Sequence, residues 1–582
     1  MKGASIHLRL LIPLVLAALC VPANAAFAAG GPIMPLSQVQ PGMQCTGETV
    51  VQGTTISSFN VDVIDVVEAP GEGARILVQV SGPVVDSTGV AEGYSGSPVY
   101  CPDSFGTLEN AGAISEGIGQ YGNNVVLVTP IEQMLGEPVQ PPPDAPRLAA
   151  RPQPLLGPLT VGGLSPAVFG LLQRAGARAG RLVLAAPAGQ PAAFAVQPLV
   201  PGASVSASYS SGAVPMGAVG TVTYVDGPTV YAFGHELDGA GRRSLLLQDA
   251  YVYYVVNNPD PSIAPSYKLA VPGHTEGIVS SDTPNAVIGE VGAPPPTVPV
   301  DVIAHDLDTN TSISLDTQVA DETDIGLPLG TSLVDSIAPL EVAQAATEIY
   351  DGPPSSESGR MCLRIYLRES RKPLGFCNRY VGTGVPGDAG VEPPELASAA
   401  SADVTSAFGD VEQVDFAALH VARVVADIDA ARGLDAARIV SAHAPRRVVA
   451  GGHTVRVRLL VRVYRGRLRT VSFRLRIPSG ARGPIVVTIH GPATPAAAST
   501  GGLSSSLVVA LSGSGSGSEP SPPGGSSSAI SSLAELRQAI AAIPSYDGLI
   551  ANLPHGVKRH VFRDPSLLIT GQTSVALLVE KP

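Results

Sequence analysis

The chain has 582 residues, 45% hydrophobic and only 15% charged, with a formal net charge of −13. That length exceeds one hydrophobic core and predicts several domains, while the apolar fraction excludes a wholly disordered chain. The acidic balance argues against nucleic acid as a general partner. Abundant glycine (64) and proline (54), with no tryptophan, suit many short strands joined by turns better than long helices.

In chain order, Lys2 and Arg9 frame the start of an apolar run, Leu10 to Leu19, and small residues follow at Ala23-Asn24-Ala25 and Ala26-Phe27-Ala28. This pattern predicts a cleaved signal peptide over residues 1–29 and hence a secreted or cell-envelope protein. The run is too short to favour a membrane-spanning helix, and no later stretch is long enough to be one, so no transmembrane anchor is expected after cleavage. Leu19, just before Cys20, is too bulky for the usual lipid-modification site. Loss of Cys20 leaves four cysteines. Cys362 and Cys377 flank a hairpin-like stretch and are expected to pair locally, which leaves Cys45 for Cys101. No metal site or cofactor motif stands out.

Residues 30–136 read as short strands: Phe59, Val61 and Val63 alternate with Asn60, Asp62 and Ile64, and Ile76 to Val80 is a buried-strand candidate. A proline-rich stretch, 137–158, reads as a linker. Residues 159–300 form a second region, mixed in pattern from Leu159 to Pro201, with strands resuming in a hairpin: Gly220 to Val225, an Asp226-Gly227 turn, then Thr229 to Phe233. A separate β-rich module is expected over 301–511. Within it, Val455, Val457, Leu459, Val461 and Val463 face opposite to Arg456, Arg458 and Arg462, and Arg474 and Arg476 repeat the pattern after a turn at Arg465-Gly466. That is half of a β-sandwich, whose arginine face is either solvated or a grip for an anionic cell-envelope polymer or lipid headgroups. Phe416 to Ala431 fits helix or strand. A Gly/Ser/Pro linker is expected at 512–528, then a small segment, 529–582, with a capping box at Ser532 and Glu535 and a last strand from Ser574 to Val579.

Two short motifs carry chemistry. In Gly93-Tyr94-Ser95-Gly96-Ser97-Pro98 the glycines allow a tight turn that exposes a serine hydroxyl and aims the Gly93 and Ser95 amides at one point, as an oxyanion hole requires. In Phe233-Gly234-His235 a histidine ends a strand, where it can act as a base; His274 is its competitor.

These motifs, with Gly42 to Gly47, Phe59 to Val67, Gly112 to Ser115, Thr129 to Leu135, Gly277 to Val279 and Ile288-Gly289, resemble the SpoIVB peptidase family across about a third of the chain. The resemblance implies a mainly β, trypsin-like double β-barrel serine peptidase, with Ser95 as nucleophile and His235 as base, acting on a protein or peptide, itself included. Two departures stand out. The serine block precedes the histidine block, which triad geometry tolerates. The stretch that should hold the acid, Leu77 to Gly82, has no carboxylate; Asp86 is the nearest substitute, with Asp62, Asp65 and Asp249 behind it. The missing acid leaves a second expectation, a non-catalytic envelope protein that keeps the scaffold for binding.

Overall fold

The structure is a computed structural model that describes residues 30–118, 124–149, 152–155, 158–178, 182–186, 194–258, 265–323, 333–382, 393–491, 529–543, 548–553, 558–563 and 567–580. The expected signal peptide and the 512–528 linker lie outside the described residues. The fold is mainly β: among the described residues 52% are strand and 14% helix.

The first six strands are β1 (Gln44–Val50), β2 (Ile56–Ala69), β3 (Gly73–Ser81), β4 (Pro98–Pro102), β5 (Leu108–Gly117) and β6 (Val125–Pro130). They pair in the order β4-β1-β2-β3-β6-β5, and β5 returns to β4, so the sheet closes into a barrel. Its core is the inward set that the alternation predicts, Phe59, Val61 and Val63 with Ile76, Val78 and Val80. Cys45–Cys101 ties β1 to its neighbour β4. A short helix, α1 (Ile131–Met134), follows.

The expected linker is not a free one. Arg147 pairs with Glu68, and β7 (Gln153–Pro154) adds to β5 at Glu116 and Gly117. After β8 (Leu159–Val161), α2 (Pro166–Arg178) and β9 (Val183–Ala185) come β10 (Ser204–Gly212), β11 (Met216–Asp226), β12 (Thr229–Ala232), β13 (Gly241–Val256), β14 (Tyr267–Thr283) and β15 (Ala286–Val291). These last six close in the order β10-β13-β14-β15-β12-β11, with β11 back on β10. In each barrel, counting its own strands, the circuit runs first, second, third, sixth, fifth, fourth. One topology is used twice.

The boundary expected at residue 300 cuts through a strand. β16 (Thr297–Asp306) pairs with β17 (Thr311–Ala320), and β17 pairs with β10, so the second barrel's sheet continues outward. It runs on through β20 (Val421–Arg432), β18 (Glu357–Leu367) and β19 (Leu374–Gly382). The ambiguous 416–431 segment is therefore largely strand, parallel to β16, with Val424, Ala426, Ile428 and Ala430 buried on one face and Arg423, Asp427 and Asp429 on the other. Two helices absent from the sequence reading, α3 (Leu333–Glu348) and α4 (Glu395–Glu412), cover this extension. Cys362–Cys377 crosses the β18–β19 hairpin at directly opposed positions.

The sandwich expected near the C-terminus is present, but it is assembled from both sides of the 512–528 linker. One sheet is β24 (Leu468–Arg476), β23 (Thr454–Val463), β21 (Ala436–His443) and β28 (Leu568–Thr570). The other is β22 (Val448–Ala450), β29 (Gln572–Glu580), β25 (Gly483–His490), β26 (Gly548–Asn552) and β27 (Lys558–Arg563). Val457, Leu459 and Leu475 meet Val487, Ile489 and Leu577 in its core. Residues 529–582 are thus no separate segment. Their helix, α5 (Leu533–Ala542), starts with Ser532 Oγ accepting from the Glu535 amide, and packs through Leu536 and Ile540 against the core under β18 and β19.

Candidate active site

Both motifs lie where the barrels meet. Ser95 lies three residues before β4, the fourth strand of the first barrel; His235 lies three residues after β12, the third strand of the second. The serine turn is seated on the histidine hairpin by direct bonds. The Thr221 amide donates to Ser95 O at 2.8 Å and Thr223 Oγ1 to Gly96 O at 2.7 Å, while Thr129 Oγ1, on β6 of the first barrel, donates to Gly234 O at 2.7 Å.

Glycine makes this approach feasible. A Cβ on Gly96 would lie 1.9 Å from Thr221 O and 2.5 Å from Phe233 N, and the residue has φ +90°. At the end of β12, Phe233 (φ +69°) and Gly234 (φ +72°) are consecutive left-handed residues. A left-handed conformation costs a phenylalanine about 1–2 kcal/mol, strain of the sort that gathers at functional positions.

Ser95 is 0% exposed and His235 1%, and neither Ser95 Oγ nor His235 Nε2 has a hydrogen-bond partner. Among the described residues the Gly93 and Ser95 amides, the expected oxyanion donors, also bond to nothing. Buried polar groups without partners cost about 1–3 kcal/mol each, so several at one seam call for a reason beyond stability.

The imidazole is oriented by the backbone. His235 Nδ1 lies 2.6 Å from Glu236 O. A carbonyl only accepts, so Nδ1 carries the proton and Nε2 presents its lone pair, the tautomer a general base needs. Burial pushes the ring down to about 4; the backbone carbonyls of Glu236 and Leu155 oppose this, the Arg75 charge adds to it and Glu72 counters it.

No carboxylate bonds to this ring. Asp86 is exposed and accepts from the Gly82 amide in its own turn, so the nearest substitute by sequence plays a local part. Asp65 accepts from the Val66 amide. Asp249 is buried and bonds the ring of His274, the competitor, at 3.0 Å. Among the described residues Asp62, on β2, forms no hydrogen bond with His235.

The sequence reading missed two buried cations. Arg75, on β3, is fully buried, donates to Glu116 Oε1 at 3.0 Å and reaches Asn285 of the second barrel at 3.3 Å. Lys268, on β14, bonds Thr49 Oγ1 at 2.8 Å and Thr221 Oγ1 at 3.2 Å, and sits over the Tyr94 ring at 4.9 Å. Burial lowers it to about 7. It therefore lies directly beneath the serine turn. A charged residue inside an apolar strand pattern, as in Ala74 to Val78 or Tyr267 to Val271, was the available signal.

The two disulfides point to an oxidising, extracytoplasmic environment. Among the described residues no helix is long and apolar enough to cross a membrane, and no group of His, Cys, Asp and Glu is placed to hold a metal. Comparison of the chain with models of known families, with curated proteins and with solved structures finds no match.

Proposed function

We propose that this chain is a secreted serine endopeptidase of the SpoIVB type, using Ser95 as nucleophile and His235 as base, on itself or another envelope protein. The observation that carries the reading is that two motifs bonded together across one seam each bury a reactive atom without a partner, Ser95 Oγ and His235 Nε2, which do not bond each other in this free form. Two closed barrels of one strand order support the trypsin-like double barrel that the resemblance implies. In this reading the Glu236 carbonyl takes over the orienting part of the missing acid. It supplies no negative charge, so the imidazolium formed on proton transfer is poorly stabilised. Losing the acid of a triad lowers turnover by about 10⁴-fold, so a slow enzyme is expected. The free Gly93 and Ser95 amides would receive the oxyanion.

A fluorophosphonate probe on the full chain tests this. Labelling is expected at Ser95, abolished in Ser95→Ala and strongly reduced in His235→Ala. Its rate should rise with an apparent pKa of about 4 and stay level above pH ~6, because the folded ring titrates low. Equal labelling of the wild type and Ser95→Ala would falsify the assignment.

The sealed seam favours a second reading, a non-catalytic envelope protein that retains the scaffold for binding. Turnover of a peptide library that disappears in Ser95→Ala excludes it; a fully inert wild type supports it.

A further inference from the structure

The sandwich holds another concentration of unpaired polar groups, all of one sign. Residues 436–491 contain twelve arginines and no aspartate, glutamate or lysine, in a chain of net charge −13. Period-two alternation puts Arg456, Arg458 and Arg474 on the exposed face of β23 and β24. Strand register sets Arg456 directly opposite Arg474, and Arg438 opposite Arg462. Like charges facing each other across an antiparallel pair destabilise a sheet. Nothing in the fold relieves them: among the described residues, Arg446, Arg456, Arg458 and Arg474 form no ion pair.

Charge alone would suit a face that deters edge pairing. A groove is more than that purpose needs. These four arginines line one of about 690 Å³, together with His453 and the Val448–Ala450 strand. We propose that this groove binds a linear polyanion whose charges are phosphate groups, an envelope polymer by chemistry and location. Guanidinium groups grip phosphate oxygens in bidentate fashion. Side chains two apart on a strand are about 7 Å apart, so Arg456 and Arg458 meet successive groups along a chain. A concave site suits a threaded chain better than a flat bilayer surface. The lining has no Phe, Tyr or Trp on which nucleobases would stack, which disfavours a single-stranded nucleic acid. The two disulfides put the groove in an extracytoplasmic setting. The inference is independent of Ser95 and His235.

The test is binding of the full chain to labelled long-chain inorganic polyphosphate across a salt series. Saturable binding that weakens at least ~10-fold between 50 and 200 mM salt is expected. Arg456→Ser with Arg474→Ser should weaken binding by ~10-fold or more at low salt and reduce the log–log salt slope by about 2. Arg446→Ser, outside the sheet ladder, should repeat the loss at smaller size. Arg465→Ser with Arg467→Ser, at the far β23–β24 turn, should leave affinity within about twofold. An equal loss from that control pair overturns the proposal, since net charge alone would then govern binding. So does tighter binding to a single-stranded oligonucleotide or to anionic phospholipid vesicles than to polyphosphate. Salt-sensitive self-association abolished by the groove variants would make the occupant a second copy, and also overturns it.

Discussion

The barrel seam and the basic sandwich face both hold polar groups without partners, and they differ in where those groups sit. Ser95 Oγ and His235 Nε2 are sealed inside the protein, whereas Arg456, Arg458 and Arg474 stand in solvent. A buried orphan lowers stability by about 1–3 kcal/mol whatever the solution conditions. An exposed cation keeps its hydration, and its repulsion of a neighbour fades with salt. The seam therefore carries its orphans at the expense of the fold. The face costs the fold little and waits on what is in solution.

The sharpest break of this contrast is at Gly96. Gly96→Ala forces a Cβ into Thr221 O, 1.9 Å away, at φ +90°, and is expected to cost about 4 kcal/mol or more. Gly106→Ala, at φ +85° with no neighbour within 4 Å, should cost only about 1 kcal/mol. Urea denaturation compares them; equal losses would remove the close approach of the two motifs.

Next in size is a pH effect. His235 titrates at about 4 when folded, against 6.5 unfolded. Between those values the unfolded chain binds a proton that the folded chain refuses, so stability is full above pH 6.5 and lost as pH falls toward 4. The span amounts to about 3 kcal/mol. His235→Gln should flatten that limb of the stability profile. Glu92, pushed up to about 8 by burial, acts in the opposite sense: its contribution is present below about 4.5 and lost as pH rises to about 8. Glu92→Gln should flatten the alkaline limb. A profile that His235→Gln leaves unchanged would mean that the ring is hydrated.

The smallest effects separate the two regions most cleanly. Ser95→Ala removes a buried unpartnered hydroxyl and should raise stability by about 1 kcal/mol at any salt concentration. Arg474→Ser removes one member of a facing pair and should raise it by about 0.5 kcal/mol at low salt, with nothing left at high salt. Calorimetric melts at two ionic strengths distinguish these patterns.

Much of the fold was legible because it is local. The Phe59–Val63 alternation, the hairpin at Asp226-Gly227, the half-buried pattern of β23 and β24, and the Ser532 cap each need only a few neighbouring residues to be recognised. Both cysteine pairings followed from a short hairpin and an even count. Domain limits fared worse, because a sheet does not end where composition shifts: β16 continues the second barrel's sheet, and β26 to β29 complete a sandwich begun before the linker. Of the candidate site, the serine turn and the histidine were visible as motifs. Asp86 was chosen for nearness along the chain, and what it contacts is its own turn at Gly82.

By itself, then, the sequence determined the strand-rich class, the inward and outward faces, the two disulfides and the two motifs, since side-chain period and backbone conformation are set within a few residues. Tertiary structure alone decided that both sheets close into barrels of one topology, that Gly96 lies against Thr221, that a backbone carbonyl rather than a carboxylate holds His235, and that Lys268 lies beneath the serine turn. Those facts depend on which distant surfaces meet, and long-range packing leaves no periodic trace along the chain.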